Sequence, residues 1–296
     1  MSLESIIHCV RHTLDHGVVG MNFRNRHLVD SLNTRPEMAV ARDKIATKER
    51  LNRFNVDTPG TITTIRRGRD IPHALQNLED RGEAFVVKPA RSARGRGILL
   101  CRGITRHGVT KLSGELMTRE DLVFHLHQIL HGEFSFGRPD DTILIEQLIQ
   151  PDQDWILSGL PGPPDLRIIV CQHTILMAMA RLPTSKSDGR ANLHCGAVGV
   201  GIDIETGLTR GGVMLDRPVD RHPDLDSHLD GLPIEDFELC LKLALRCAEA
   251  FQLGYMGVDL MRDVTQGPVV LEVNSRPGLG LQIANRRGIF HQGISS

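Results

Sequence analysis

Two acidic residues and one amide near the end of the chain are the side chains best placed to do chemistry. Asp259 lies inside the apolar run Gly257-Val258-Asp259-Leu260-Met261, and Glu272 and Asn274 lie inside Val269-Val270-Leu271-Glu272-Val273-Asn274. A carboxylate in an apolar strand is costly unless a cation compensates it. Glu272 and Asn274 are two positions apart and so leave an extended strand on one face. Asp259 can join them from a neighbouring strand. Three hard oxygen donors on rigid strands suit Mg²⁺, which fills its remaining positions with water and phosphate oxygens. The pattern predicts a metal site that handles a nucleoside triphosphate, with Mn²⁺ as the alternative ion.

A second signal lies upstream. Lys88 closes the strand-like run Ala84-Phe85-Val86-Val87-Lys88 and is followed by Arg91-Ser92-Ala93-Arg94-Gly95-Arg96-Gly97. A lysine at a strand end can reach phosphate oxygens, and glycines let backbone N–H groups approach them closely. The same lysine could equally snorkel to solvent beside an exposed basic turn. GxxxxGK[ST] is absent, Gly95-Arg96-Gly97 lacks the third glycine of GxGxxG, and no kinase-type HRD or DFG follows Lys88.

Elements must hold these groups in place. The patterning predicts helices over Ser5–Leu14, Arg42–Phe54, Ile71–Asp80, Thr118–Leu130 and Glu235–Leu253, the last with Leu241, Ala244, Leu245, Ala248 and Phe251 on one face and Gly254 as its stop. Strands are expected at 84–88, 97–101 and 142–146, with a hairpin of 166–171 and 174–180 across Gln172-His173. Gly17 to Pro36 reads as a loop or arm, and Pro183 to Gly201 as a long, functional loop rich in Gly, Ser, Asn and Asp. Antiparallel hairpins alternating with single helices argue for an α+β fold.

Composition excludes several classes. The 296 residues carry 35 basic and 36 acidic side chains, a formal net charge of −1, so no nucleic acid is expected as partner. One Trp and one Tyr leave little for base stacking. The six cysteines form no CxxC pair and read as free thiols; Cys240 and Cys247 are expected to be packing residues. No targeting segment or membrane-length apolar run is visible, so a soluble, cytoplasmic protein is expected. His125, His127 and His131 scatter around a helix and are expected on a solvated face.

Taken in order, Arg42-Asp43-Lys44, Val87-Lys88, the Ser92–Gly97 loop, Ile145-Glu146-Gln147, Asp165-Leu166-Arg167, the 182–196 segment, Val258-Asp259 and Leu271 to Gly278 resemble the ATP-grasp superfamily from about Arg42 to Gly280. Within it the chain is similar to RimK-like α-L-glutamate ligases, and nearer still to the sugar-transfer-associated ATP-grasp subgroup. The resemblance implies two α+β lobes gripping ATP between antiparallel sheets, divided as an N-terminal arm (1–40), a first lobe (41–145) and a second lobe with the metal and substrate site (146–290). It implies that Lys44 and Lys88 contact phosphates, that Ser92, Gly95 and Gly97 belong to a loop closing over them, and that the backbone of Glu146, Gln147 and Leu148 reads adenine. Gln153 stands where relatives carry a ribose-binding carboxylate, so Asp152 or Asp154 must substitute. Asp259, Glu272 and Asn274 match the magnesium ligands.

By the same resemblance the expected reaction is ATP-dependent joining of a carboxylate to an amine, on small-molecule or peptide substrates. Arg167, Arg181, Arg276 and Asn192 are the expected catalytic groups, the arginines clamping a phosphoryl group or a carboxylate. No general base stands out, and the His194-Cys195 adjacency does not make a nucleophile pair. The other function classes are a phosphotransferase on a hydroxyl acceptor and a nucleotide-binding regulator without chemistry. About forty residues precede Asp43 where many relatives have a full α/β domain, which implies that a second copy, a partner protein or the arm completes the substrate pocket.

Overall fold

The computed structural model describes residues 17–92, 95–135 and 139–290, so the helix expected at Ser5–Leu14 lies outside the described residues. The chain separates into two compact units. The first takes the described residues up to Ala41, then Leu51–Asp57 and the chain from Gln150; the second takes Arg42–Arg50 and Thr58–Ile149. The expected divisions after 40 and 145 shift accordingly. Residues 17–41 pack into the first unit, with Val19, Leu28, Val29 and Met38 buried in its core.

That segment is helical where a loop was expected. Met21–Phe23 and Asp30–Leu32 are α-helical turns on either side of a π-helical turn, Arg24–Val29, and α1 (Arg35–Arg42) follows. A π turn breaks the 3.6-residue spacing by which helices are read from sequence.

Helix α2 (Lys44–Arg53), which belongs to the second unit as far as Arg50, starts on Asp43, whose carboxylate accepts the N–H groups of Ile45 and Ala46 at 3.1 and 3.2 Å. Next come β1 (Thr61–Ile65), α3 (Ile71–Arg81), β2 (Phe85–Pro89), β3 (Leu99–Thr105), β4 (Gly108–Lys111), β5 (Leu116–Thr118), α4 (Arg119–Leu130) and β6 (Ile143–Gln147). The strands form an antiparallel sheet in the order β1-β6-β2-β3-β4-β5. Leu122, Leu126 and Ile129 of α4 are fully buried, the face its spacing predicts. Strands β1, β4 and β5, short and Thr- or Gly-containing, are not visible in the patterning.

The first unit holds β7 (Asp165–Cys171), β8 (Thr174–Leu182), β9 (Val198–Ile202), β10 (Thr209–Met214), β11 (Arg217–Val219), α5 (Phe237–Ala250), β12 (Tyr255–Asp263), β13 (Gly267–Asn274) and α6 (Gly280–Ala284). Its seven strands run antiparallel in the order β11-β10-β9-β8-β7-β12-β13. The β7–β8 hairpin turns on Gln172 and His173 with φ of 45° and 64°, the left-handed pair that a tight two-residue turn needs. The expected 183–201 loop ends early, because Val198 onward enters β9. Gly201 permits this: a side chain there would lie 2.8 Å from the Ala284 carbonyl of α6.

Helix α5 buries Phe237, Cys240, Ala244, Cys247 and Ala248, while Leu241 and Leu245 are only partly covered. The buried stripe thus runs through the two cysteines. Gly254 is not its cap; a side chain there would meet Leu32 Cβ at 2.7 Å, so glycine is needed for close packing. No helix among the described residues is long and apolar enough to cross a membrane.

Candidate active site

A transverse row of polar side chains crosses three adjacent strands of the seven-stranded sheet. Arg167 on β7 is in register with Asp259 on β12, and Asp259 with Glu272 on β13. Directly opposed residues share a face, and Asn274, two positions on and opposite Gly257, shares it too. A bulge after Asp259 bends the ladder at this point.

Asp259 is buried and held by a fork. Its Oδ1 accepts from Arg167 Nε at 2.7 Å, and its Oδ2 accepts from Arg167 Nη2 at 2.6 Å and Arg181 Nη2 at 3.1 Å. Arg181 forks in turn onto Asp165 at 2.5 and 2.6 Å. Burial disfavours the charge on Asp259, but two guanidinium groups outweigh it and hold the carboxyl at about 2. Burial pushes Asp165 up to about 6; Arg181, and to a lesser degree Arg167, only partly oppose the rise, and the Asp259 charge adds to it.

The donor set fits Mg²⁺ by chemistry. Glu272 is exposed, Asn274 is half-buried, and Asn274 Oδ1 accepts a single N–H, from Arg276, at 2.9 Å. Each carboxylate oxygen has two lone pairs, so the arginine contacts leave one on Asp259 Oδ1. Among the described residues no cluster of three His, Cys, Asp or Glu side chains forms a metal site. The triad of oxygens relies on an amide for its third member.

Arg167, Arg181 and Asn192 line one cavity of about 780 Å³, with Met179, Leu193 and Leu281 among its apolar walls. Asn192 caps the 3₁₀ turn Leu193–Cys195 by accepting the His194 N–H at 3.0 Å. Arg276 is not among the lining residues; it is exposed and pairs with Asp30 at 3.3 Å. Of the three arginines expected to act together, the cavity brings Arg167 and Arg181 together.

The second unit carries a separate cationic cluster. Lys88 on β2 and Lys48 on α2 both pair with Glu146 on β6, and Lys48 also donates to the Pro59 carbonyl. Glu146 is 3% exposed. Burial alone would raise its pKa, yet Lys88 and Lys48 bring it below the ordinary carboxylate value. Burial lowers Lys48, and Glu146 only partly offsets this. The Glu146 side chain is thus a buried counter-ion. Lys44 Nζ donates to the Ser92 carbonyl at 2.7 Å, and Ser92 Oγ is buried without a hydrogen-bond partner among the described residues. Gly95 and Gly97 follow with φ of 71° and 74°. A side chain at Gly97 would meet Phe134 at 2.7 Å. An orphaned hydroxyl beside a lysine and a glycine turn fits a phosphate group.

Gln147 is exposed and its N–H donates to Gly60 at 2.8 Å, while the Leu148 N–H donates to Ala84 at 3.2 Å. Asp152 is occupied by Arg262, so of the two ribose candidates Asp154, which is exposed, keeps its carboxylate open. Two of the three histidines are half-buried instead of solvated: His125 Nε2 lies 3.1 Å from the Gly97 carbonyl, and His127 stacks on His131, which lies just past α4 and is exposed as expected.

Sequence reasoning missed several supporting residues. Lys48 completes the Glu146 cluster, and only its place on the helix one turn beyond Lys44 hinted at it. Arg24 Nη1 donates to the Pro277 carbonyl at 2.8 Å, and Asn33 Nδ2 donates to Tyr255 and Ser275 carbonyls at 2.7 and 3.1 Å. Both come from the supposed arm and fix the chain just beyond β13.

Comparison with known proteins follows this geometry. The profile of the sugar-transfer associated ATP-grasp family matches residues 23–295. A probable alpha-L-glutamate ligase of Pseudomonas entomophila is 24% identical over 260 residues, covering 87% of this chain and 64% of that protein. One from Aeromonas salmonicida is 23% identical over 261 residues, covering 88% and 64%. The chain thus spans under two thirds of the length of these curated relatives. A D-alanine–D-alanine ligase structure from Bacillus anthracis aligns with a TM-score of 0.48 at 16% identity, covering 94% of this chain and 74% of that one.

Proposed function

The chain belongs to the sugar-transfer-associated ATP-grasp family, and from that premise we propose that it is an ATP-dependent ligase joining a carboxylate to an amine through an acyl phosphate. The observation that carries the reading is the Arg167–Asp259–Glu272 row, with Arg167 opening on a cavity of small-molecule size.

A carboxylate resists amines because its oxygen leaves badly. In the proposed reaction a carboxylate oxygen attacks the γ-phosphorus of ATP, the bond to the β–γ bridging oxygen breaks, and ADP departs. The amine then adds to the acyl carbon, phosphate leaves with the C–O electron pair, and the amine's proton passes to solvent. The chain's task is alignment and cancellation of negative charge. Arg167, anchored by Asp259, presents its remaining N–H groups to the acid, and Arg181 holds Asp259 and Asp165 in place. Asn192, which lines the same cavity, is assigned to substrate binding. Lys44, Lys88, Ser92 and the Gly95–Gly97 turn are assigned to the phosphates, the backbone of 146–148 to adenine, and Asp154 to ribose. Mg²⁺, held by Asp259, Glu272 and Asn274, would neutralise phosphate oxygens.

Glutamate is the first amine to test, since the curated relatives are named for it. Hydroxylamine supplied as the amine should give an ATP-dependent hydroxamate from a cognate acid. Phosphorylation of a hydroxyl acceptor, with no hydroxamate from any acid, would overturn the ligase reading.

A further inference from the structure

Four arginines line the cavity beside the polar row: Arg167, Arg181, Arg286 and Arg287. Three have carboxylate partners. Arg167 and Arg181 hold Asp259 and Asp165, and Arg286 pairs with Asp220 at 3.3 Å. Arg287 is half-buried and has no acid partner among the described residues. Its place is fixed: its N–H donates to the Gln282 carbonyl at 3.1 Å, and Gln282 is buried and tied to Val19 by two hydrogen bonds. Arg286 before it has φ of 51°, a conformation a non-glycine residue holds only where its surroundings impose it.

We propose that the cavity selects an acid bearing a second carboxylate, which forks onto Arg287 while the reacting carboxylate lies at Arg167. This rests on the ligase reading for the identity of the reacting group. The charge argument is local. Three of the four guanidinium groups already face carboxylates, which leaves Arg287; Asp216, the one acid among the described residues that line the cavity, forms no ion pair with it. A planar guanidinium left half-dry is best satisfied by a bidentate carboxylate. Met179, Leu193, Val213 and Leu281 line the same space, so the link between the two acidic ends is apolar, a chain of methylenes.

Matched acids test this. Succinate, glutarate and adipate are compared with butyrate, valerate and hexanoate in ATP-dependent hydroxamate formation, and each is titrated calorimetrically against the protein without ATP. The expected result is a preference for one dicarboxylate over its monocarboxylate partner of roughly tenfold or more in kcat/KM. That ratio should collapse in Arg287→Gln and be partly kept in Arg287→Lys. Calorimetric binding of the preferred dicarboxylate should weaken by a similar factor in Arg287→Gln. Absence of any dicarboxylate preference, or a preference and binding constant unchanged by Arg287→Gln, overturns the proposal while hydroxamate formation leaves the ligase reading standing. Conversely, Arg287-dependent dicarboxylate binding with no hydroxamate from any acid supports the site and sinks the ligase reading.

Discussion

Replacing Glu146 with Gln tests the buried Lys48–Glu146–Lys88 cluster. The three side chains are 10%, 4% and 19% exposed, so the substitution leaves two ammonium groups facing each other with little water. Removing one partner of a buried ion pair costs about 3–5 kcal/mol. Lys88, the most exposed of the three, can relax toward solvent. Lys48 cannot, and will shed its proton instead. Its pKa is already lowered by burial, and Glu146 is what opposes the fall. A lysine below its ordinary value binds its proton less well folded than unfolded, so it makes stability rise with pH up to the unfolded value. Glu146→Gln should therefore lose about 3–5 kcal/mol near pH 7 and regain part of it by about pH 9.5. The double variant with Lys48→Met should be more stable than Glu146→Gln alone, because an apolar replacement removes the stranded charge. Trp155, the sole tryptophan, belongs to the other unit, so urea unfolding should be followed by far-UV circular dichroism. A loss below about 1 kcal/mol, or a double variant no better than the single, would refute the argument.

Glu272→Ala should abolish ATP turnover with the fold intact, as the side chain is exposed; Asp259→Ala should abolish turnover and also cost about 3–5 kcal/mol, because it strands the part-buried Arg167, while Arg181 keeps Asp165. Turnover assays paired with thermal melts separate the two, and an unaltered melting temperature in Asp259→Ala would contradict the anchoring role. Iodoacetamide labelling of the native protein, mapped by mass spectrometry, should modify Cys195 first among the described cysteines. The other four are buried, and burial pushes Cys101 and Cys240 up to about 12.

The two strands that carry Asp259, Glu272 and Asn274 were legible because acidic residues interrupt otherwise apolar runs. The register joining Asp259 to Glu272 was not, since pairing is a tertiary fact. Nor was the Arg167–Asp259 fork, whose members are 92 positions apart. Glu146 was expected to offer its backbone to adenine; its side chain pairs with Lys48 and Lys88, an arrangement that depends on α2 passing beside β2 and β6. The helix over 119–130 was plain from its Leu and Ile spacing, whereas Met21–Leu32 was hidden by polar composition and an irregular turn. β9 was obscured by its glycines, of which Gly201 admits α6. In each case local periodicity was readable and long-range pairing was not.

The contacts of Arg24 and Asn33 have a consequence for how this polypeptide is made. Their carbonyl acceptors, Tyr255, Ser275 and Pro277, leave the ribosome more than 200 residues later. All segments of the second unit lie between, complete once Ile149 has emerged. Domains fold as units during synthesis, so the nascent chain can finish its insert while its first helical turns still wait for their partners. Apolar Leu28 and Val29 stay uncovered throughout that interval. Slowed translation beyond Ile149 should lengthen the time in which a chaperone or protease can capture the growing protein.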